Sequence, residues 1–173
     1  MNPWNYRRWF GTGSRECSIA KRPLLHPRHL IGLPQGAAYS YVNVVPQIKK
    51  FMDNWDDVER RIDLRRREIP GLKVLSGSLN HVPGEERFDV FYIKDRYGFT
   101  LPVPLYLWKS VEVITIVQIN IPNLTKDDLK KFVFCEDICH LRTWTKNIAW
   151  RSIQKGYIFC CDQSEFFKIA GFY

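Results

Sequence analysis

The stretch that decides the fold is the segment at 51–68, FMDNWDDVERRIDLRRRE. Its apolar residues recur at helical spacing: Phe51, Trp55, Val58 and Ile62. Aspartates gather near its start and three arginines near its end, and both placements suit the helix macrodipole. Pro70-Gly71 follows and is typical of a helix end. The stretch therefore predicts one amphipathic helix.

Shorter elements surround this helix. Alternating or clustered β-branched and aromatic residues predict strands at 37–42, 72–79, 88–94 and 111–120. Pro46 is expected to stop the first of these strands, and Leu101-Pro-Val-Pro104 cannot be a central strand, because proline lacks a ladder donor. Short helices are predicted at 125–132, 144–154 and 162–169.

The order of these elements is strand, helix, several strands and then short helices. That order indicates an α+β fold, with a mixed or antiparallel sheet flanked by helices, rather than alternating βαβ units. Residues 1–23 are predicted to form an irregular arm rich in basic and aromatic side chains. Residues 24–173 are predicted to form a single domain.

The charge of the chain points to an anionic partner. The 173 residues hold 26 lysines and arginines against 18 acids, which gives a net charge of +8. A basic balance of this size favours polyanions such as nucleic acid. No apolar run approaches the roughly 18 residues that a spanning helix needs, so no membrane partner is expected. The first residues lack the apolar stretch of a signal peptide.

Four of the five cysteines lie close together near the C-terminus, as Cys135, Cys139, Cys160 and Cys161. Two disulfides joining the first pair to the second suit the spacing best, and they would indicate an oxidising compartment. Free buried thiols and a zinc site that includes His140 stay open as alternatives. Zinc is disfavoured because adjacent cysteines rarely both reach one tetrahedral ion. Cys17 is left unpaired.

Several motifs stand in a fixed order along the chain. Asn43-Val-Val-Pro-Gln47 precedes Trp55, and Glu59 follows four residues later. The later motifs are Ser76–Ser78, Leu101–Lys109, Ile116–Pro122, Phe134–Cys139 and Lys155–Cys161. Together they resemble the non-specific DNA/RNA endonuclease family, with its ββα-metal (His-Me finger) fold, and the later ones are similar to its arthropod branch. The resemblance covers about residues 24–170 and implies a secreted or extracellular protein.

The resemblance implies hydrolysis of phosphodiester bonds in DNA and RNA, without sequence preference because backbone contacts carry none. His29 matches the family's general base, and a neutral imidazole can take a proton near pH 7. Glu59 on the following helix matches a residue that supports the phosphate and the water shell of the metal. Arg28, beside His29, takes the place of the family's supporting arginine, which is expected one position earlier, at Pro27.

The resemblance also implies a cofactor, Mg²⁺ or another divalent cation, which neutralises charge on the phosphate. Asn54 is the oxygen donor nearest to the position of the family's metal-binding asparagine, with Asp53 beside it. Asn43 and Gln47 match supporting positions. The helix arginines Arg60, Arg61 and Arg65 are the predicted nucleic-acid contacts, although such a cluster is commonly just a solvated helix face.

The chain departs from the family pattern at several of these positions. Arg28 stands where the family has glycine, and Asp63 stands where it has an arginine. The loop that carries the metal ligand is one residue shorter here, which puts Met52 at or near the ligand position. A second interpretation is therefore a catalytically impaired paralogue that binds nucleic acid through a basic face without cleaving it.

Overall fold

The computed structural model describes residues 18–26, 43–83, 91–94, 100–145 and 149–172. Within these ranges the chain is α+β. The strands are β1 (Ile19–Pro23), β2 (Val44–Ile48), β3 (Val74–Leu79), β4 (Phe91–Lys94), β5 (Thr100–Val103), β6 (Tyr106–Val111), β7 (Ile114–Ile119) and β8 (Ile158–Asp162). The α-helices are α1 (Met52–Glu68), α2 (Lys126–Phe132) and α3 (Gln163–Ile169).

The centre of the fold is an antiparallel sheet in the order β3-β6-β7-β8. Both β6 and β7 are buried along their whole length. Because successive strand residues point to opposite faces, Leu107 and Ile116 pack with Trp55 of α1, whereas Trp108 and Val117 pack on the opposite side. The second face is covered by α2 and α3, through residues such as Phe132 and Phe166. The sheet is thus enclosed by helices on both faces.

Two smaller antiparallel pairs, β1–β2 and β4–β5, accompany the central sheet. Strand β2 leads through a single 3₁₀ turn, Lys49–Phe51, directly into α1. The order at this point is therefore strand, strand, helix. Strand β1 lies on the arm side of the boundary predicted at residue 23, and it pairs with β2 over its whole length.

Several predicted elements agree with the structure. The predicted helix at 51–68 is α1, and the C-cap of α1 is Ile69, directly before Pro70-Gly71. Helix α2 begins at a capping box in which the Thr125 hydroxyl accepts from the Asp128 N–H and the Asp128 carboxylate accepts from the Thr125 N–H. Asp162 caps α3. Leu101–Val103 lies in the two-stranded pair β4–β5 and not in the central sheet.

Other predictions were wrong. Pro46 does not stop a strand but lies inside β2, which tolerates it because β2 belongs to a two-stranded pair. The strand predicted at 111–120 begins later, since Glu112 turns the chain with a positive φ of 56° before β7. In the helix predicted at 144–154, the described residues form only 3₁₀ turns, at Ala149–Arg151 and Ile153–Lys155. The strand predicted at 37–42 lies outside the described residues.

Candidate functional site

A buried cluster of charges lies between α1 and the sheet, around Glu59. The Glu59 side chain is only 5% exposed, and its Oε1 lies 3.2 Å from Lys109 Nζ and 3.5 Å from Arg22 Nη2. Arg22 also binds Asp56. Strand β1 supplies the arginine, β6 the lysine and α1 both acids. Because the two cations match the two carboxylates, the cluster is neutral and Glu59 is held by two elements at once.

Lys109 is the most enclosed member of this cluster, since its side chain is 1% exposed. Its Nζ donates to the carbonyl of Leu24 at 2.8 Å and to Ser76 Oγ at 2.9 Å. Ser76 faces Lys109 across the β3–β6 register. Burial lowers the pKa of Lys109, and the neighbouring Glu59 carboxylate only partly offsets this effect. The ammonium is therefore fixed by three oxygens in a desolvated position.

A cleft of about 540 Å³ opens beside this cluster. Its lining comes from the loop after β1 and from one side of α1: His26, Asp53, Asp56, Asp57, Glu59, Arg60 and Asp63. Of the five carboxylates, Asp56, Asp57 and Glu59 are paired with arginine or lysine side chains. The excess of negative charge that remains favours a cation over a bare phosphate. Asp53 is distinctive among the five, because no described residue hydrogen-bonds or ion-pairs with its carboxylate. The cleft therefore offers at least one carboxylate oxygen that no described residue engages.

The predicted base and its neighbour, His29 and Arg28, lie outside the described residues. The start of their loop is described: His26 follows β1 by three residues and reaches the cleft. His26 was not singled out by the sequence, where its only signal is its position three residues before His29. Lys109 is likewise not predicted as a site residue by the sequence. Its one distinguishing signal is that it is a cation directly after the apolar residues 105–108.

Asn54, the predicted metal ligand, is buried and faces elsewhere. Its Nδ2 donates to the carbonyls of Gly156, at 3.1 Å, and Trp150, at 3.5 Å. Glu59 follows Asn54 by five residues, which is about 140° around a helix axis. The two side chains consequently point to different partners. Asn54 ties α1 to the 3₁₀ turns before β8.

Asn43 and Gln47 both hold the base of the strand–strand–helix unit. Asn43 Oδ1 accepts from the N–H of Leu25 at 2.8 Å, and its Nδ2 donates to the Leu25 carbonyl at 3.0 Å. These bonds join the two ends of the chain segment between β1 and β2, in which His26 and His29 lie. Gln47 is fully buried and donates to Gln118 Oε1 at 2.6 Å. Gln118 in turn donates to the carbonyl of Phe51, at the start of α1.

The three arginines predicted to contact nucleic acid are all engaged within the protein. Asp57 accepts from both Arg60 and Arg61. Arg65 binds Glu112 at 2.6 Å and Glu68 at 2.7 Å, and these bonds raise its pKa. Burial raises the pKa of Asp57, but hydrogen bonds from Arg60, Arg61 and Trp150 outweigh it and hold that pKa below its usual value.

The four C-terminal cysteines form two disulfides, Cys135–Cys161 and Cys139–Cys160. Adjacent Cys160 and Cys161 point to opposite faces of β8, so one disulfide lies on each side of the sheet. The predicted pairing between the two groups is confirmed. Two disulfides are compatible with an extracellular protein. No described helix has the length and apolar character to cross a membrane.

One carboxylate and two sulfurs of this region lie within 4.8 Å of one another, in Asp137, Cys139 and Cys160. Their spacing would suit a metal ion, but the two sulfurs are bonded to each other and offer no thiolate. Asp137 instead accepts from the N–H groups of Cys139 and Cys160, and it binds Arg151. In this oxidised form the cluster braces the disulfide.

Comparison with known proteins adds no assignment. No protein-family model, no curated protein and no solved structure matches this chain.

Proposed function

We propose that this chain is a metal-dependent endonuclease that hydrolyses phosphodiester bonds of DNA and RNA without sequence preference. One observation carries the proposal. The antiparallel pair β1–β2 leads into α1, and His26, shortly after β1, lines the same cleft as Glu59 of that helix. This strand–strand–helix order is compatible with the ββα arrangement that the sequence resemblance implies, and it supports the proposal.

The donors around the cleft fit a hard divalent cation, since Mg²⁺ prefers oxygen ligands. Asp53 is the proposed ligand in place of Asn54, because the Asn54 amide is engaged by two backbone carbonyls. When bound, the ion would supply positive charge to the phosphate and to the leaving oxygen. Within the chain, Arg22 and Lys109 fix the Glu59 carboxylate at the wall of the cleft.

In the proposed reaction, His29 takes a proton from the water whose oxygen attacks phosphorus. The bond from phosphorus to the leaving sugar oxygen breaks, and that oxygen takes a proton from solvent. Asn43 bonds to Leu25 and so joins the two ends of the segment in which His29 lies, and its proposed role is to position that segment. The assignment of His29 as the base depends on the sequence resemblance.

Incubation of the disulfide-intact protein with plasmid DNA and double-stranded RNA, with Mg²⁺ or with EDTA, tests the proposal. We expect cleavage that EDTA abolishes. His29→Ala should lose it, whereas His81→Ala, at an exposed position after β3, should retain it. Asp53→Asn should raise the Mg²⁺ concentration needed for cleavage, whereas Asp127→Asn, at a 94% exposed carboxylate, should not. Absence of any EDTA-sensitive cleavage would refute the proposal.

A second function, binding of nucleic acid without cleavage, is favoured by one specific observation. The predicted metal ligand Asn54 is committed to holding Gly156 and Trp150. Salt-sensitive retention of DNA by the wild-type protein, with no cleavage at any Mg²⁺ concentration, would support this function over the first.

A further inference from the structure

A second cleft lies at the C-terminal end of α1. It has a volume of about 390 Å³ and is lined by Asp63, Arg66, Arg67, Gly71 and Leu72. The space is open beside Gly71, because a Cβ built there would meet nothing within 4 Å. Asp63 also lines the cleft that contains Glu59. The two clefts therefore adjoin along one side of the helix.

Arg66 and Arg67 differ from the other arginines of α1. Arg60, Arg61 and Arg65 are each engaged by carboxylates of the protein. In the part of the chain that the structure describes, no hydrogen bond or ion pair engages Arg66 or Arg67. Their guanidinium groups remain available to an external anion, and the guanidinium fork suits phosphate oxygens.

The charges that line this cleft are positive on balance. Glu68 binds Arg65, and Asp63 contributes one negative charge to the lining. The C-terminus of a helix adds only about half a negative charge. The two guanidinium groups of Arg66 and Arg67 exceed these negative charges together, so the cleft attracts anions.

We propose that Arg66 and Arg67 form a phosphate subsite for the backbone of a nucleic-acid strand whose reacting phosphate lies at the first cleft. This inference rests on the proposed function. Arg66 follows Glu59 by seven residues, which places it within about 20° of Glu59 around the axis and roughly 10.5 Å farther along it. The second cleft is thus displaced along α1 from the first, and we expect Arg66 and Arg67 to contact a phosphate a few nucleotides away from the reacting one on the same strand.

A binding titration with a short fluorescein-labelled DNA duplex tests the subsite. Fluorescence anisotropy is measured in EDTA at salt concentrations from about 50 to 200 mM. The variant is Arg66→Ala/Arg67→Ala. The matched control is Lys126→Ala/Lys130→Ala, which removes two charges from exposed positions of α2, on the opposite face of the sheet. Loss of two phosphate contacts should make the negative slope of log K against log salt shallower by about 1.8. Over this salt range the affinity of the variant should therefore fall by a factor about 12-fold smaller than that of the wild type. The control should keep the wild-type slope.

Equal slopes for the wild type and the Arg66/Arg67 variant would overturn the subsite, and so would equal losses in the variant and the control. If the duplex binds with the expected slopes but is never cleaved in Mg²⁺, the endonuclease proposal fails and the subsite stands. If the duplex is cleaved and the Arg66/Arg67 variant binds as the wild type does, the subsite fails alone. Absence of any binding by the wild type refutes the subsite together with nucleic-acid recognition.

Discussion

Replacement of Lys109 by methionine tests whether the buried charge cluster holds α1 on the sheet. The substitution keeps most of the side-chain volume but removes an ammonium group that serves Leu24, Ser76 and Glu59. The Glu59 carboxylate would stay buried with only Arg22, at 3.5 Å, as a cationic partner. Uncompensated charge, rather than lost packing, is the expected source of the destabilisation.

Removal of one partner from a buried ion pair typically costs about 3–5 kcal/mol. The remaining Arg22 places Lys109→Met at the lower end, at about 3 kcal/mol. This is a large part of the roughly 5–15 kcal/mol that stabilises a domain. With a urea m-value of about 2 kcal/mol/M, the unfolding midpoint should fall by about 1.5 M. Tryptophan fluorescence can follow the transition, since the chain holds 6 tryptophans.

Lys130→Met is the control, because the Lys130 side chain is 82% exposed and such a change usually stays within about 0.5 kcal/mol. The double variant Lys109→Met/Glu59→Leu should lose less stability than the two single variants together, by about 1–3 kcal/mol of coupling. A Lys109→Met variant as stable as Lys130→Met would refute the reasoning. If Lys109→Met does not fold, Glu59→Gln measures the same cluster from its acidic side.

Three further variants address the other contacts around α1 and β8. Asn54→Asp should destabilise the protein by about 1–3 kcal/mol in urea unfolding, because it sets a carboxylate against two carbonyl oxygens; unchanged stability with full Mg²⁺-dependent activity would instead favour a metal ligand. Gly156→Ala should cost about 1–3 kcal/mol more than Gly71→Ala in thermal unfolding followed by circular dichroism. Both glycines have positive φ, but only at Gly156 would a Cβ lie 2.8 Å from a core ring atom, and equal losses would contradict this. Cys139→Ser/Cys160→Ser should lower the urea midpoint by the equivalent of about 3 kcal/mol, since it opens a loop with a sequence separation of 21, and an unchanged midpoint would contradict it.

The parts of the fold that the sequence predicted are those fixed by local chemistry. Helix α1 has a clear period, an acidic start and a basic end within the segment itself, and Pro70-Gly71 follows its C-cap directly. The predicted starts of α2 and α3 are equally local, because each is set by a cap next to the helix, Thr125 or Asp162. The cysteine spacing restricted the pairing because each partner group is only a few residues long.

The parts that the sequence did not predict depend on distant residues. Strand β6 is buried on both faces, so it lacks the alternation that marks a half-buried strand. The role of Lys109 follows from its register opposite Ser76 and from the packing of α1 over that face. The Asn54 side chain can donate through its amide nitrogen or bind a cation through its amide oxygen, and the local sequence does not distinguish the two. The tertiary fold decides this, because it places the carbonyl of Gly156 against the nitrogen.

Net charge is a similarly incomplete guide to the binding surface. The chain carries +8 overall, yet on α1 the carboxylate of Asp57 engages two arginines and Glu68 and Glu112 engage a third. What remains is a separation of charge along one side of the helix. Carboxylates lie around the first cleft, and at the second lie two guanidinium groups that no described residue engages. A phosphodiester strand is repelled by the first cleft unless a cation bridges it, and it is attracted by the second without one. Cleavage should therefore depend on divalent metal more steeply than binding does, and a measured metal dependence that is equal for the two would contradict this division of α1.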